Sequence, residues 1–176
     1  MKVFPSGPIC CTGQRNDDGA VDQRDVEARQ DVLVYSSDPL DSVLTVVGPV
    51  RAVLFVSSTA RDTDFTIKLV DVLPDGTAFN LAEGIQRARY REGYGKTLMM
   101  EPGAIHRIEV DLQATAITFA PGHRIRVEVS SSSYPRFARN FNTGGDTVTE
   151  TTWITATNTI HHNDKNASHI LLPVLR

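Results

Sequence analysis

The chain has 176 residues, a formal net charge of −3 and a hydrophobic content of 40%. This length fits one domain with a substantial core, and the composition is that of an ordinary globular protein. The small net charge argues against a partner held by the overall field, such as nucleic acid or an anionic membrane, and no apolar run approaches the ~20 residues that span a bilayer.

The first thirty residues differ from the rest because Pro and Gly interrupt them and they show little periodicity. We predict an N-terminal arm or linker over residues 1–30 and one domain over residues 31–176. Cys10 and Cys11 are adjacent, and neighbouring cysteines rarely pair. A disulfide scaffold is therefore excluded, which favours a reducing, cytoplasmic location. The apolar stretch within the first residues is too short to form a signal peptide.

Short β-like runs separated by turn residues follow from Asp31 onward. The predicted strands lie within residues 32–35, 43–47, 50–56, 64–72, 78–81, 105–112, 120–130, 151–160 and 169–175. In the run 120–130, apolar Ile125, Val127 and Val129 alternate with charged residues that are expected to point outward, Glu128 among them. A helix is indicated only weakly, around residues 82–91. The pattern predicts an all-β fold, an antiparallel β-sandwich of the jelly-roll type.

Residues 130–145, SSSSYPRFARNFNTGG, contain four consecutive serines that raise the question of a nucleophile. His161 or Asp146 can in principle complete a convergent triad. No serine of the chain lies in G-x-S-x-G and no helix pattern follows these serines, so hydroxyls at the end of an edge strand are the favoured interpretation. Pro135 is expected to stop that strand. The candidates for a structural loop or a domain-docking surface are Arg136, Arg139, Asn140 and Asn142.

Two groups of residues are candidates for metal ligation. Asp62 and Asp64 have a calcium-like spacing but lack the further oxygen ligands of a calcium loop. His161 and His162 are adjacent, so a strand would point them to opposite faces, and Asp164 follows. Hydrogen-bonded loop residues are the favoured interpretation, with calcium in a sandwich loop as the more credible metal. No metal and no cofactor is predicted.

Aromatic and basic residues indicate possible binding surfaces. Tyr90 and Tyr94 lie in a loop-like segment and are candidates for stacking on a ligand such as a sugar. Trp153, the only tryptophan, lies in an alternating run and is predicted to belong to the core. Basic residues within 86–91 and at 136 and 139 suit carboxylate or phosphate binding, salt bridges or a docking face.

Four segments resemble successive motifs of one known family. They are residues 25–40 (DVEARQDVLVYSSDPL), 62–76 (DTDFTIKLVDVLPDG), 121–137 (PGHRIRVEVSSSSYPRF) and 139–144 (RNFNTG). They are similar, in this order, to the C-terminal domain of the CocE/NonD hydrolases, which is related to the X-prolyl dipeptidyl-peptidase C-terminal domain. The likeness extends from about residue 22 to the end.

The resemblance implies a jelly-roll sandwich that is galactose-binding-domain-like. It also implies that the catalytic triad and the G-x-S-x-G motif belong to an α/β-hydrolase domain that precedes this one, so no catalytic residue is assigned here. The implied function is that of a non-catalytic accessory domain of an enzyme that hydrolyses esters, amides or X-Pro peptides. Its partners are then the catalytic domain, in the same or a separate chain, and possibly a second copy. A stand-alone carbohydrate-binding module is the alternative.

Overall fold

The computed structural model describes residues 19–175, so Cys10, Cys11 and most of the predicted arm lie outside the described residues. A short helix, α1 (Arg24–Glu27), precedes the strands. The strands are β1 (Leu33–Ser36), β2 (Leu44–Ser58), β3 (Asp64–Val72), β4 (Ala78–Arg87), β5 (His106–Phe119), β6 (Arg124–Ser130), β7 (Asn158–Asn163), β8 (Asn166–Ala167) and β9 (His169–Leu171), and a 3-10 helix covers Ala88–Tyr90. No helix within residues 19–175 is long and apolar enough to cross a membrane.

The strands form two antiparallel sheets that pack face to face. The first sheet has the order β1-β6-β3-β4, and the second has the order β5-β2-β7-β8 with β9 also beside β2. The core between them contains alternate residues of β3 and β5, such as Phe65, Ile67, Ile108 and Val110, as the period of two predicted. The predicted all-β sandwich is confirmed, whereas the jelly-roll and galactose-binding-like descriptions stay predictions.

One strand, β2, replaces the two that were predicted over residues 43–47 and 50–56. It continues through Gly48 and Pro49, and its register against β5 shifts between Pro49 and Arg51. Gly48 adopts a φ of 131°, which a residue with a side chain rarely adopts. The pair that reads as a turn in the sequence therefore forms a β-bulge, where proline is tolerated because a ladder bond is already missing.

The weakly indicated helix around residues 82–91 is wrong. Residues as far as Arg87 belong to β4, which pairs with β3, and only a 3-10 turn follows. A Cβ placed on Gly84 would lie 2.2 Å from the carbonyl oxygen of Asp111 on β5. The glycine that limits a helix in the sequence thus permits two backbones to approach closely at the corner between the sheets.

The prediction of a strand over residues 151–160 with a buried tryptophan is also wrong. Strand β7 begins only at Asn158, and Trp153 lies in the preceding loop with 73% of its surface exposed. The preceding strand differs from its predicted position as well. β6 lies between β1 and β3 and is therefore not an edge strand. Period-two alternation identifies an extended chain, but it does not show whether a neighbouring strand pairs with it.

The connections differ between the two ends of the sandwich. At one end the strands are joined by short connections, residues 37–43, 73–77 and 120–123. At the other end lie the two long connections, residues 88–105 and 131–157. We call this second end the loop end. Long loops on a rigid scaffold are where binding residues concentrate, so the loop end is the natural place for a functional surface.

Residues 20–30 cover the outer face of the first sheet. Gln23 and Val26 are buried there, and the Gln23 backbone N–H donates to the Ala78 carbonyl at 2.7 Å. This cover buries Glu128, which is only 3% exposed although the strand pattern places it on the outward face. The division into residues 1–30 and 31–176 stays a prediction.

Candidate functional site

Two buried aspartates organise the loop end. The carboxylate of Asp62 accepts the backbone N–H of Arg89 at 2.9 Å, its Nε–H at 2.7 Å and the side-chain amide of Asn140 at 2.8 Å. Asp64 accepts two guanidinium N–H groups of Arg87, at 2.8 and 3.0 Å, and the same amide at 2.9 Å. The hydrogen bond to Asp64 raises the pKa of Arg87 above its ordinary value. Both carboxylates are therefore occupied by protein donors, which is the hydrogen-bonded arrangement that the sequence favoured over calcium.

This ion-pair cluster fixes the backbone of the long 131–157 loop. Arg89 donates to the Gly145 carbonyl at 2.9 Å, and Arg87 donates to the Ala138 carbonyl at 3.3 Å. Asn140 and Asn142 continue the connection: the Asn142 backbone N–H donates to Asn140 Oδ1, and its side-chain amide donates to the Ile154 carbonyl, both at 2.9 Å. A loop without regular secondary structure is thus held in one shape by side chains buried beneath it.

The two predicted arginines of the loop make aromatic contacts. Arg136 forms an ion pair with the buried carboxylate of Glu83 and lies 5.1 Å from the centre of the Phe137 ring. Arg139 lies over the ring of Tyr134 at 4.4 Å. All four candidates from the sequence therefore lie together at the loop end, and their contacts are within the domain. Their role in docking stays a prediction.

The serine run does not meet the predicted triad partners in the described part of the chain. Ser130 contacts the hydroxyl of Thr66 at 2.5 Å, and Ser131 accepts from the Asn158 side chain at 2.7 Å. The imidazole of His161 contacts Ser57 instead, at 3.0 Å across the β2–β7 pair. Asp146 accepts the backbone N–H of Val148 at 2.8 Å, as a turn residue does. These contacts are those of structural hydroxyls.

The remaining candidates are more dispersed. Tyr90 and Tyr94 contact each other with ring centres 5.7 Å apart and planes tilted by 46°, and Tyr94 is 82% exposed. His162 contacts the ring of Tyr35 at 6.0 Å, so it points away from its neighbour His161 as expected for a strand. Ligand stacking by this pair stays a prediction.

The sequence did not predict all of the exposed apolar residues of the 131–157 loop, since Val148, Trp153 and Ile154 were not among the candidates. The exposed apolar side chains of this loop are Tyr134, Phe137, Val148, Trp153 and Ile154. We call these five residues the apolar surface. Trp153 and Ile154 were assigned to a strand, and nothing in the local sequence marks Val148. The sequence has no turn residues that separate Trp153 and Ile154 from β7, so the whole run resembles one strand. Only the pairing of β7 with its neighbour shows where the strand begins.

A cavity of about 1040 Å³ adjoins the apolar surface. It lies between the segment after α1 and the 131–157 loop, and its floor is the first sheet. Both charged and neutral polar groups line it, among them Lys68, Glu128, Ser133 and Asn142. The loop end therefore combines an exposed apolar surface with a large recess lined by both apolar and polar groups, a combination suited to a macromolecular partner.

Comparison with known proteins identifies the domain. Residues 11–171 match the X-Pro dipeptidyl-peptidase C-terminal non-catalytic domain. The chain belongs to this family. It is the non-catalytic C-terminal domain found in hydrolases of the CocE/NonD type, so the predicted resemblance is confirmed.

Relatives of this domain are much longer proteins. The chain is 46% identical over 179 residues to the cocaine esterase of Rhodococcus sp. (strain MB1 Bresler), covering 98% of this chain and 31% of the esterase. Its structure resembles an aminopeptidase from a marine sediment archaeon, Thaumarchaeota archaeon (TM-score 0.86, 31% identity, 89% of this chain and 28% of that one). It also resembles an α-amino acid ester hydrolase (TM-score 0.85, 30% identity, 89% of this chain and 27% of that one). The chain thus spans less than a third of each.

Proposed function

We propose that this domain supports the α/β-hydrolase catalytic domain of a CocE/NonD-type enzyme by docking against it through the loop end. The observation that carries the proposal is the apolar surface, which stands on a loop held by the buried Asp62 and Asp64 ion pairs. An apolar patch that is exposed in an isolated domain marks a surface that another domain covers.

Rigidity of the loop favours this role. A surface that is already ordered loses little conformational entropy on binding, so more of the free energy from apolar burial remains as affinity. The relatives, which are about three times longer than this chain, supply a partner of the right kind. The proposed partner is therefore a catalytic domain, in the same chain or in a separate one.

Docking through the loop end also allows this domain to form one wall of the substrate cleft. The relatives are named for hydrolysis of an ester, a peptide and an amino acid ester. The parent enzyme is accordingly proposed to hydrolyse esters, amides or X-Pro peptides, with its nucleophile in the catalytic domain. The cytoplasmic location belongs to the same proposal and is supported by the adjacent Cys10 and Cys11.

A domain exchange tests the docking surface. This chain replaces the homologous domain of the Rhodococcus esterase, and p-nitrophenyl ester hydrolysis and the temperature of inactivation are measured. Trp153→Ala with Val148→Ser is expected to lower both, because it removes apolar area from the interface. Val43→Ser is the control, since Val43 is 59% exposed and lies away from the loop end. Equal behaviour of the two variants would contradict the proposal.

The purified chain alone is expected to hydrolyse neither p-nitrophenyl esters nor X-Pro amides. Ser130 contacts Thr66 on β3 and Ser131 accepts from Asn158 on β7, so neither hydroxyl contacts a histidine of residues 19–175 that could serve as its base. Measurable turnover that disappears when these serines are changed to alanine would overturn the non-catalytic assignment of this chain.

The isolated domain is also expected to self-associate through the apolar surface, because the partner that covers it is absent. Sedimentation velocity of the wild type and of Trp153→Ala measures this directly. Loss of self-association in the variant supports a single surface that serves either a catalytic domain or a second copy.

A carbohydrate-binding module is the second candidate, and the exposed Tyr94 beside Tyr90 favours it. Binding on a glycan array that is lost in Tyr94→Ala would support it. A silent array combined with loss of docking in the domain exchange separates the two functions.

A further inference from the structure

Two carboxyl groups meet beneath α1. Glu27 on α1 and Glu128 on β6 are both buried, with side chains 10% and 3% exposed. Glu27 Oε2 accepts from Arg126 at 2.7 Å, and Glu128 Oε2 lies 3.8 Å from the ammonium of Lys68. The other oxygen of each carboxyl, Oε1, is buried and has no donor among residues 19–175. Glu27 is close enough to Glu128 to raise the pKa of its carboxyl.

A single proton on this pair removes the repulsion between the two carboxyl groups. Two buried carboxylates in contact repel each other, and neither offers the other a donor. If one is a carboxylic acid, its O–H donates to the other, and both unpartnered oxygens gain a hydrogen bond. Burial is the largest effect that raises the pKa of Glu128, to about 7; Glu27 raises it further, while Lys68 and Arg126 oppose the rise.

The surrounding charges leave Glu128 as the group that keeps the proton. Lys68 on β3 is shared, because it also donates to Gln23 Oε1 at 2.7 Å. Arg126 on β6 is held by Glu27 and by the Ser36 hydroxyl. The other charged groups around the recess are ion-paired elsewhere: Glu83 on β4 with Arg136, and Arg29 after α1 with Asp31. The neighbour on β1, Val34, is apolar.

We propose that Glu27 and Glu128 share one proton and that this pair is a pH-sensitive latch that holds α1 against the first sheet. α1 has only four residues and no side-chain cap, so tertiary contacts must keep it in place. Loss of the shared proton puts two negative charges in contact and removes the hydrogen bond between the two carboxyl groups, which leaves the Arg126–Glu27 ion pair as the side-chain link between α1 and β6. The segment that leads into the sandwich then loosens while the sheets remain intact.

The sign of the effect follows from proton linkage. The ordinary pKa of a glutamate here is 4.5, and the folded protein holds the Glu128 proton to about 7. The stabilising effect is therefore fully present below pH 4.5 and is lost as the pH rises through about 7. The two pKa values differ by about 2.5, which is enough to change the folding equilibrium constant about 300-fold over this range.

Side-chain carboxyl NMR of the full chain measures the proton directly, with the Glu128 signal assigned by its absence in Glu128→Gln. In the wild type Glu128 is expected to titrate near neutrality. In Glu27→Gln it is expected to titrate at lower pH, because the amide donates to the carboxylate and the like charge is gone. A Glu128 midpoint that Glu27→Gln leaves unchanged would show that burial alone holds the proton, and would overturn the shared pair.

Hydrogen exchange tests the latch. Peptides that cover α1 are followed from about pH 5 to about pH 8.5, with rates corrected for the intrinsic pH dependence of exchange. Wild-type protection of α1 is expected to fall at least tenfold relative to β3 over this range. Glu128→Gln, a neutral mimic of the acid, is expected to keep α1 protected throughout.

The control is Glu109→Gln, which changes an exposed carboxylate on β5 and should behave as the wild type. The same pH-dependent loss of protection in Glu128→Gln and in the wild type would overturn the latch. If α1 is unprotected in Glu128→Gln even at acidic pH, the reciprocal Glu27→Gln variant tests whether a neutral side chain on α1 restores protection. Failure of both variants to protect α1 overturns the proposal.

Discussion

Asp62 is completely buried, and its carboxylate accepts two hydrogen bonds from Arg89 and one from Asn140. These donors compensate its negative charge, and the carboxylate in turn holds them in place. Arg89 is itself 9% exposed and continues the connection to the Gly145 carbonyl. A buried pair of this kind is expensive to break because the remaining partner keeps its charge without compensation. At this scale, one carboxylate helps to hold a 27-residue connection in place.

We therefore expect Asp62→Asn to lower the free energy of unfolding by about 3 kcal/mol, since it leaves the buried Arg89 unpaired. The matched control is Asp31→Asn, which breaks an Arg–Asp pair whose aspartate is 66% exposed and should cost less than about 1 kcal/mol. Urea unfolding followed by circular dichroism measures both. Similar losses in the two variants would show that burial of the Asp62 pair has no energetic consequence.

Strands β4 and β5 show what elements contribute beyond single residues. They belong to different sheets, yet Gly84 brings their backbones into contact at the corner of the sandwich. A side chain at this position would have to displace the backbone of Asp111 rather than a flexible side chain. The angle at which the two sheets meet is thus coupled to one glycine.

Gly84→Ala is expected to destabilise the domain by at least ~2 kcal/mol, because overpacking against a backbone cannot be relieved by a rotamer change. Gly95→Ala is the control: nothing lies within 4 Å of its added Cβ, and the change should stay within about 0.5 kcal/mol of the wild type. Thermal unfolding of the two variants gives the comparison. A stable Gly84→Ala variant would mean that the sheets can separate at this corner without cost.

The whole molecule is asymmetric along its strands: one end has short connections and the other has the long loops, the ion-pair cluster and the apolar surface. Function is proposed for the loop end because these three features coincide there. Trp153 reports on this surface, since it is the only tryptophan and is 73% exposed.

Trp153→Ala is expected to change the free energy of unfolding by no more than about 0.5 kcal/mol, because an exposed side chain has few contacts to lose. The wild-type tryptophan emission should likewise be that of a solvated indole and shift little on unfolding in urea. If Trp153 were buried, the native protein would show a large blue shift of its emission, and the variant would lose several kcal/mol of unfolding free energy. Either result would contradict the exposed position.

Much of the fold could be predicted from local patterns. The alternation in β3, β5 and β6 identified residues that face the core, because a strand that packs one face on a core alternates apolar and polar side chains, although β3 proves to be buried on both faces. The same rule failed at Trp153, where an alternating run has no partner strand, and at Glu128, where α1 covers a face that the pattern places in solvent. It also failed at Gly48 and Pro49, where a bulge resembles a turn.

The candidate site shows the same division. The sequence by itself determined the all-β class and the family, because periodicity and long motifs are properties of neighbouring residues. Only the tertiary structure decided that Asp62, Arg89 and Asn140 form one cluster, that Glu27 meets Glu128, and that the apolar surface faces solvent. These facts depend on which distant strands are neighbours and on what covers them, and no local pattern encodes a contact between residues that lie 50 or 100 positions apart.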